Sequence, residues 1–174
     1  MAAGEYRGLI HRNNNDLQAW LAKRPAETAI EPELPIIDPH HHLWDTPQRG
    51  QYLLPELLAD IGGGHNIVST VFLECQSMFR EGGPEEMRPV GEVEFVNGIA
   101  AMSASGHYGK TRVCEAIVGW ADLMLGASVR EVLEAEVAAG GGRFRGVRYG
   151  TSWDDSIVGK FVSRPIPPKR LLDP

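Results

Sequence analysis

Residues 36–45 read IIDPHHHLWD. A short apolar run meets a proline and then three consecutive histidines, His40, His41 and His42. If the run is a β-strand, side chains two apart share a face. Asp38, His40 and His42 then fall on one side, and Pro39 and His41 on the other. Two imidazoles are expected to converge on a common point while the third turns away. A neutral imidazole is a good ligand for zinc and similar divalent ions. Two of them on one rigid strand make half of a metal shell with little ordering cost. The same H-x-H spacing also occurs in surface loops and in structural histidines that bond a backbone. The flanking Asp38 and Trp44, and the place at the end of a strand, favour the ligand reading.

The chain beyond the histidines decides the architecture. Strand candidates at 35–39, 67–74, 113–119 and 144–149 alternate with helical patterns. The stretch LLPELLADIGGG (53–64) is a helix stopped by Gly62 to Gly64. In VGEVEFVNGIAAMSASG (90–106), Val93, Val96, Ile99, Ala100 and Met102 recur at near-helical spacing. In SVREVLEAEVAAGGG (128–142), Ser128 and Glu131 form an S-x-x-E capping box and Gly140 to Gly142 stop the helix. The order βαβαβαβ implies parallel strands joined by right-handed crossovers. Strands continuous in apolar residues are expected to be covered on both faces. An open doubly wound sheet and a (β/α)8 barrel both satisfy this pattern. The first βα turn carries no G-x-G-x-x-G or Walker-type glycines, which counts against the nucleotide-binding doubly wound fold. Parallel α/β folds place their chemistry at the C-terminal ends of the strands, where the histidines lie. Residues 1–33 read as a separate arm, with a short helix LQAWLAKR (17–24) capped by Asn15 or Asp16 and closed by Pro25.

Composition narrows the function. The chain has 174 residues, 43% of them hydrophobic, which is globular and enough for one core. A net charge of -6 argues against a general nucleic-acid binder. No apolar run is long enough to span a membrane, and the N-terminus lacks the apolar core of a secretory signal. Cys75 and Cys114 lie in apolar runs and are expected to be free buried thiols, which fits a reducing, cytoplasmic setting. No internal repeat is present.

The segment IIDPHHHLWD resembles the first-strand D-x-H-x-H signature of the amidohydrolase-related family, TIM-barrel metal-dependent hydrolases. The branch with sugar lactonases and 2-pyrone-4,6-dicarboxylate lactonase is the nearest in character. VFLECQSMFREGGPEEMRPVGEVEFVNGIAAMSASG, IVGWADLMLGASVREVLEA and GGGRFRGVRYG are similar to family segments in family order, and the tail PIPPKRLLDP continues the likeness. The resemblance covers roughly residues 34–174. It implies a partial TIM barrel, about the first four βα units, with the arm in front. It implies metal-dependent hydrolysis of a lactone or similar cyclic ester, in which a divalent ion activates water and polarises a carbonyl. His40 and His42 match the metal ligands, with zinc or manganese as the ion; some close relatives work without a metal. Arg148 matches an arginine that holds a substrate carboxylate, through the two-pronged grip of a guanidinium. Tyr149 stands where the family often has histidine. The same branch includes metal-dependent decarboxylases, so a lyase is the alternative chemistry. A small-molecule substrate is implied, with no nucleic-acid or membrane partner.

Other side chains carry two readings each. Glu74 ends the second strand in register with Thr70 and Phe72, so it points into the barrel mouth as a substrate contact or pairs with an arginine. Trp44, directly after the ligands, lines the pocket or fills core, and so does Trp120. Glu92 and Glu94 read as a solvated helix face. Arg143 and Arg145 start the fourth strand, on the side away from the chemistry. His11, His65 and His107 stand in the arm or in loops.

Length sets a final expectation. A TIM barrel takes about 250 residues. At about 30 or more per βα unit, residues 34–174 supply about four. The family takes further histidines from the fifth and sixth strands and its general base, an aspartate, from the eighth. The chain is therefore expected to be a truncated half, with its catalytic base on a missing strand. It is expected to self-associate through open barrel edges, or to be inactive.

Overall fold

The computed structural model describes residues 14–25 and 27–156. His11 and the tail PIPPKRLLDP, with the likeness read there, lie outside the described residues.

Helix α1 (Asn14–Leu21) opens the described chain. It starts earlier than expected, so Asn15 and Asp16 are not caps but first-turn residues, where the charge of Asp16 suits the helix dipole. The helix ends well before Pro25. The Asn14 backbone N–H donates to the Arg49 carbonyl at 3.2 Å and ties the arm to the rest of the molecule.

Strand β1 (Pro35–His41) is followed by an unforeseen hairpin, β2 (Trp44–Thr46) and β3 (Gly50–Tyr52), paired antiparallel. Gly50 has φ 78°, a left-handed conformation that favours glycine. The rings of Trp44 and Tyr52, cross-strand partners, stack with centroids 5.0 Å apart. Next come α2 (Leu54–Ile61), β4 (Asn66–Leu73), α3 (Val90–Ala104), β5 (Arg112–Gly119), α4 (Val129–Ala139) and β6 (Phe144–Val147).

The main sheet has the order β1-β4-β5-β6, every pair parallel. The four expected strands are thus present, and each lies beside its predecessor in the chain. Among the described residues β1 and β6 each pair on one side only.

One local expectation gives way at a helix start. The capping box of Ser128 and Glu131 does not form: Ser128 has helical angles, φ -70° and ψ -15°, and its side chain makes no cap bond. A 3-10 stretch, Leu123–Ser128, runs straight into α4, so the capping falls to Asp122, whose carboxylate accepts from the Met124 N–H at 2.9 Å. In α2, by contrast, Glu56 reaches back to accept from the Leu53 N–H at 2.8 Å.

The core lies between the sheet and its helices. Phe72 of β4 and Ile117 of β5 meet Leu54 and Leu57 of α2 and Val93, Val96 and Ile99 of α3. Each such side chain, fully buried, contributes about 1.5–3 kcal/mol. Val90, Ala121 and Val132 form a smaller cluster where α4 packs beside α3. Among the described residues the coverage is one-sided, where two covered faces were expected. Thr70 and Phe72 are fully buried, while the alternate residues Val71 and Leu73, and Ala116 and Val118 on β5, are only half-buried. Among the described residues no helix is long and apolar enough to cross a membrane. Cys75 and Cys114 are free thiols.

Candidate active site

The histidine triplet is shaped by a break in register. Asp38 pairs with Thr70, but His41 pairs with Phe72, so β1 advances three residues while β4 advances two. Such a bulge re-aims side chains near a strand end. The Asp38 carboxylate fixes the bend by accepting from the His40 N–H at 3.1 Å. His41 turns under the helices. Its ring meets Phe72 edge-on at 5.9 Å, and its Nε2 lies 2.8 Å from the Thr70 hydroxyl. Burial pushes the His41 pKa down to about 4, so the ring is neutral in ordinary buffers.

His40 and His42 converge. Their Nε2 atoms are 3.2 Å apart, with the rings perpendicular. The Nδ1 of His42 lies 2.8 Å from the Leu73 carbonyl. A carbonyl only accepts, so Nδ1 carries the proton and Nε2 presents its lone pair toward His40. Burial holds His42 below the usual histidine range, the Leu73 carbonyl opposing and His40 and Arg148 adding to the drop. The neutral form is the ligand form.

This pair fits a divalent cation. Two nitrogens each about 2.0–2.1 Å from zinc, at a tetrahedral angle, sit about 3.3–3.4 Å apart, close to the 3.2 Å found here. The backbone carbonyl on the far nitrogen of His42 is the usual outer partner of a metal-binding imidazole. Among the described residues, no group of three or more metal-ligating side chains comes together.

An open cleft of about 930 Å³ adjoins the pair on the His42 side, lined by His42, Trp44, Arg49, Tyr52, Glu74 and Arg148 among others. Arg148 follows directly on β6, and Glu74 on β4. The Arg148 Nε–H donates to Glu74 Oε1 at 2.9 Å, and its Nη2 donates to the Glu74 carbonyl at 2.7 Å. Glu74 is only 4% exposed, so this pair is half inside the protein. Thr70 and Phe72 face the helices. Glu74, two further along, is buried like them, and its N–H still donates to the Val118 carbonyl of β5 at 2.8 Å where it borders the cleft. Glu74 thus pairs with an arginine and also borders the cleft.

The remaining candidates scatter. Trp44 lines the cleft, stacked on Tyr52, with the Arg49 guanidinium 5.9 Å from its ring. Trp120 stacks on Tyr149 at 6.0 Å, and the Tyr149 hydroxyl donates to Asp122 at 3.0 Å, which defines a separate aromatic cluster. Glu94 is exposed and paired with Arg80. Arg143 donates to Asn97 Oδ1 at 2.9 Å, a structural role. Glu92, expected on a solvated face, is instead buried at 1% exposure. Its position was readable: residues 92, 96, 99 and 103 form one helical stripe, all of it buried.

No family model matches this chain, and neither does any curated protein or solved structure.

Proposed function

We propose that this chain is part of a metal-dependent hydrolase of the amidohydrolase-related kind, acting on a lactone or similar cyclic ester, with its four parallel strands an arc of a TIM barrel. The observation that carries the reading is the 3.2 Å approach of the His40 and His42 Nε2 atoms at the C-terminal end of a parallel strand. His40 and His42 would hold the cation, zinc or manganese. When bound, the cation supplies Lewis acidity toward a carbonyl and a water molecule.

The chain's own residues do the rest. The Leu73 carbonyl fixes the tautomer of His42, so that no proton must leave Nε2 before it can bind. Arg148 commits Nε and Nη2 to Glu74, which leaves Nη1 as the donor for a substrate carboxylate in the cleft. The stacked Trp44 and Tyr52 offer an apolar wall to a ring-shaped substrate. Among the described residues, the edges of β1 and β6 offer unpaired backbone groups to a second chain, and self-association through them is part of the proposal.

The test is proton release from simple lactones with added zinc or manganese, for the purified chain beside His40→Ala/His42→Ala. Release that depends on the metal and vanishes in the double variant supports the reading. The rate expected is low. Two imidazoles leave about half of a tetrahedral shell to water, and a positioned general base is worth about 10²–10⁴-fold. Carbon dioxide release from a carboxylated substrate would assign the site to decarboxylation. Equal rates in both proteins would reject a role for the histidines.

A further inference from the structure

One wall of the cleft takes an unusual path. Just past β4, Gln76 and Met78 have φ of 65° and 56°, a left-handed conformation that few non-glycine residues adopt. Such conformations persist only where the surroundings over-determine them. Here the surroundings are the first turn of α3. Glu92 Oε1 accepts from the Cys75 N–H at 2.9 Å and from the Ser77 N–H at 2.7 Å. Those two amides bracket Gln76. Beside Glu92, Gly91 lets the backbone of Met78 and Arg80 press directly on the helix. A Cβ at Gly91 would lie 2.6 Å from the Met78 carbonyl and 2.8 Å from the Arg80 nitrogen. The Arg80 N–H donates to the Arg88 carbonyl at 2.9 Å and closes the clamp.

Behind Glu92 lies a second buried acid. Glu136 of α4 has no exposure, and the other oxygen of Glu92, Oε2, is buried without a partner among the described residues. The structure thus directs one oxygen of Glu92 at the loop's backbone and leaves the other buried on the side of the helix pair. We propose that Glu92 is the positioning residue of the cleft: its carboxyl oxygen holds the Cys75 and Ser77 amides on either side of the left-handed Gln76 and so sets Glu74 against Arg148. The inference takes its meaning from the cleft of the proposed function. Its test reads loop amides and the Arg148 side chain and does not involve catalysis.

The experiment is amide hydrogen exchange and arginine side-chain NMR on the full chain, comparing wild type with Glu92→Gln and Glu92→Leu. In wild type the Cys75 and Ser77 amides exchange slowly, and the Arg148 Nε–H gives a distinct, protected signal. Glu92→Gln keeps one acceptor oxygen and retains all three signatures. Glu92→Leu loses the acceptor, and exchange at Cys75 and Ser77 quickens about 10- to 100-fold while core amides such as Ile117 hold. The Arg148 Nε–H signal then shifts toward its exposed position. Protection unchanged in Glu92→Leu would overturn the proposal. So would wild-type Cys75 and Ser77 amides that exchange as fast as exposed loop amides, a result that needs no variant to fold.

Discussion

Glu136→Gln should make this chain more stable at mildly alkaline pH and remove a large part of its loss of stability there. Glu136 is fully buried on α4, and burial pushes its carboxyl up to about 8, with Glu92 adding to the rise and the Trp120 backbone N–H opposing it. An unfolded glutamate titrates near 4.3. The folded value is the higher one, so the folded state binds the extra proton. The stabilisation is complete below the unfolded value and is lost as pH rises through the folded one. Buried histidines act in the opposite sense. His41, lowered to about 4, weakens the fold as pH falls below about 6.5. The clean window therefore lies above that. Between about pH 6.5 and about pH 8.5 Glu136 alone removes about 1–2 kcal/mol, and Glu92, pushed up to about 7, adds a loss of similar order. With a urea slope of about 1–3 kcal/mol per molar, the wild-type midpoint should fall by roughly 1 M across the window, as read by circular dichroism. Glu136→Gln, neutral throughout, should show clearly less of that fall and should exceed wild type at the alkaline end. A wild-type midpoint that is flat or rises across the window, with the variant parallel to it, would refute the reasoning.

Three further outcomes are expected. Thr70→Val should cost about 1–3 kcal/mol in urea unfolding, because it strips the buried hydroxyl that serves both His41 Nε2 and the Cys114 N–H. Arg148→Ala should leave the buried Glu74 without its guanidinium and destabilise by about 1–2 kcal/mol, less than a fully buried pair because the arginine is partly exposed; an unchanged midpoint would show that the pair contributes nothing. Cys75, half-buried and with its thiol pushed up to about 12 by burial and then by Glu92, should react with a disulfide reagent near neutral pH far more slowly than a free thiol does.

The strands and helices were legible because their cause is local. Residues 67–73 and 113–119 are apolar and β-branched, and Gly140 to Gly142 end a helix by backbone chemistry alone. The convergence of His40 and His42 was legible for the same reason, as strand alternation survives a one-residue bulge at that point. What escaped reading depends on tertiary context. Thr70 and Phe72 alternate correctly, but alternation does not say which face the helices cover. Ser128 and Glu131 have the spacing of a capping box, yet the preceding 3-10 turn leaves Ser128 in helical geometry. The hairpin at Trp44–Tyr52 is held by one ring pair and a glycine turn, too short a signal to stand out. Glu92 reads as solvated by residue type, although its position on the apolar stripe of α3 points inward.

The central claim is that His40 and His42 form a ligand pair. Isothermal titration of the chain with zinc, beside His40→Ala/His42→Ala and a His41→Ala control, tests it directly. Weak binding of one ion per chain is expected in wild type, with its loss in the double variant. His41→Ala should keep the site, because the His41 ring is buried against Phe72 and Thr70 rather than turned to the pair. Equal zinc binding by wild type and the double variant, or no binding by wild type at all, would contradict the claim.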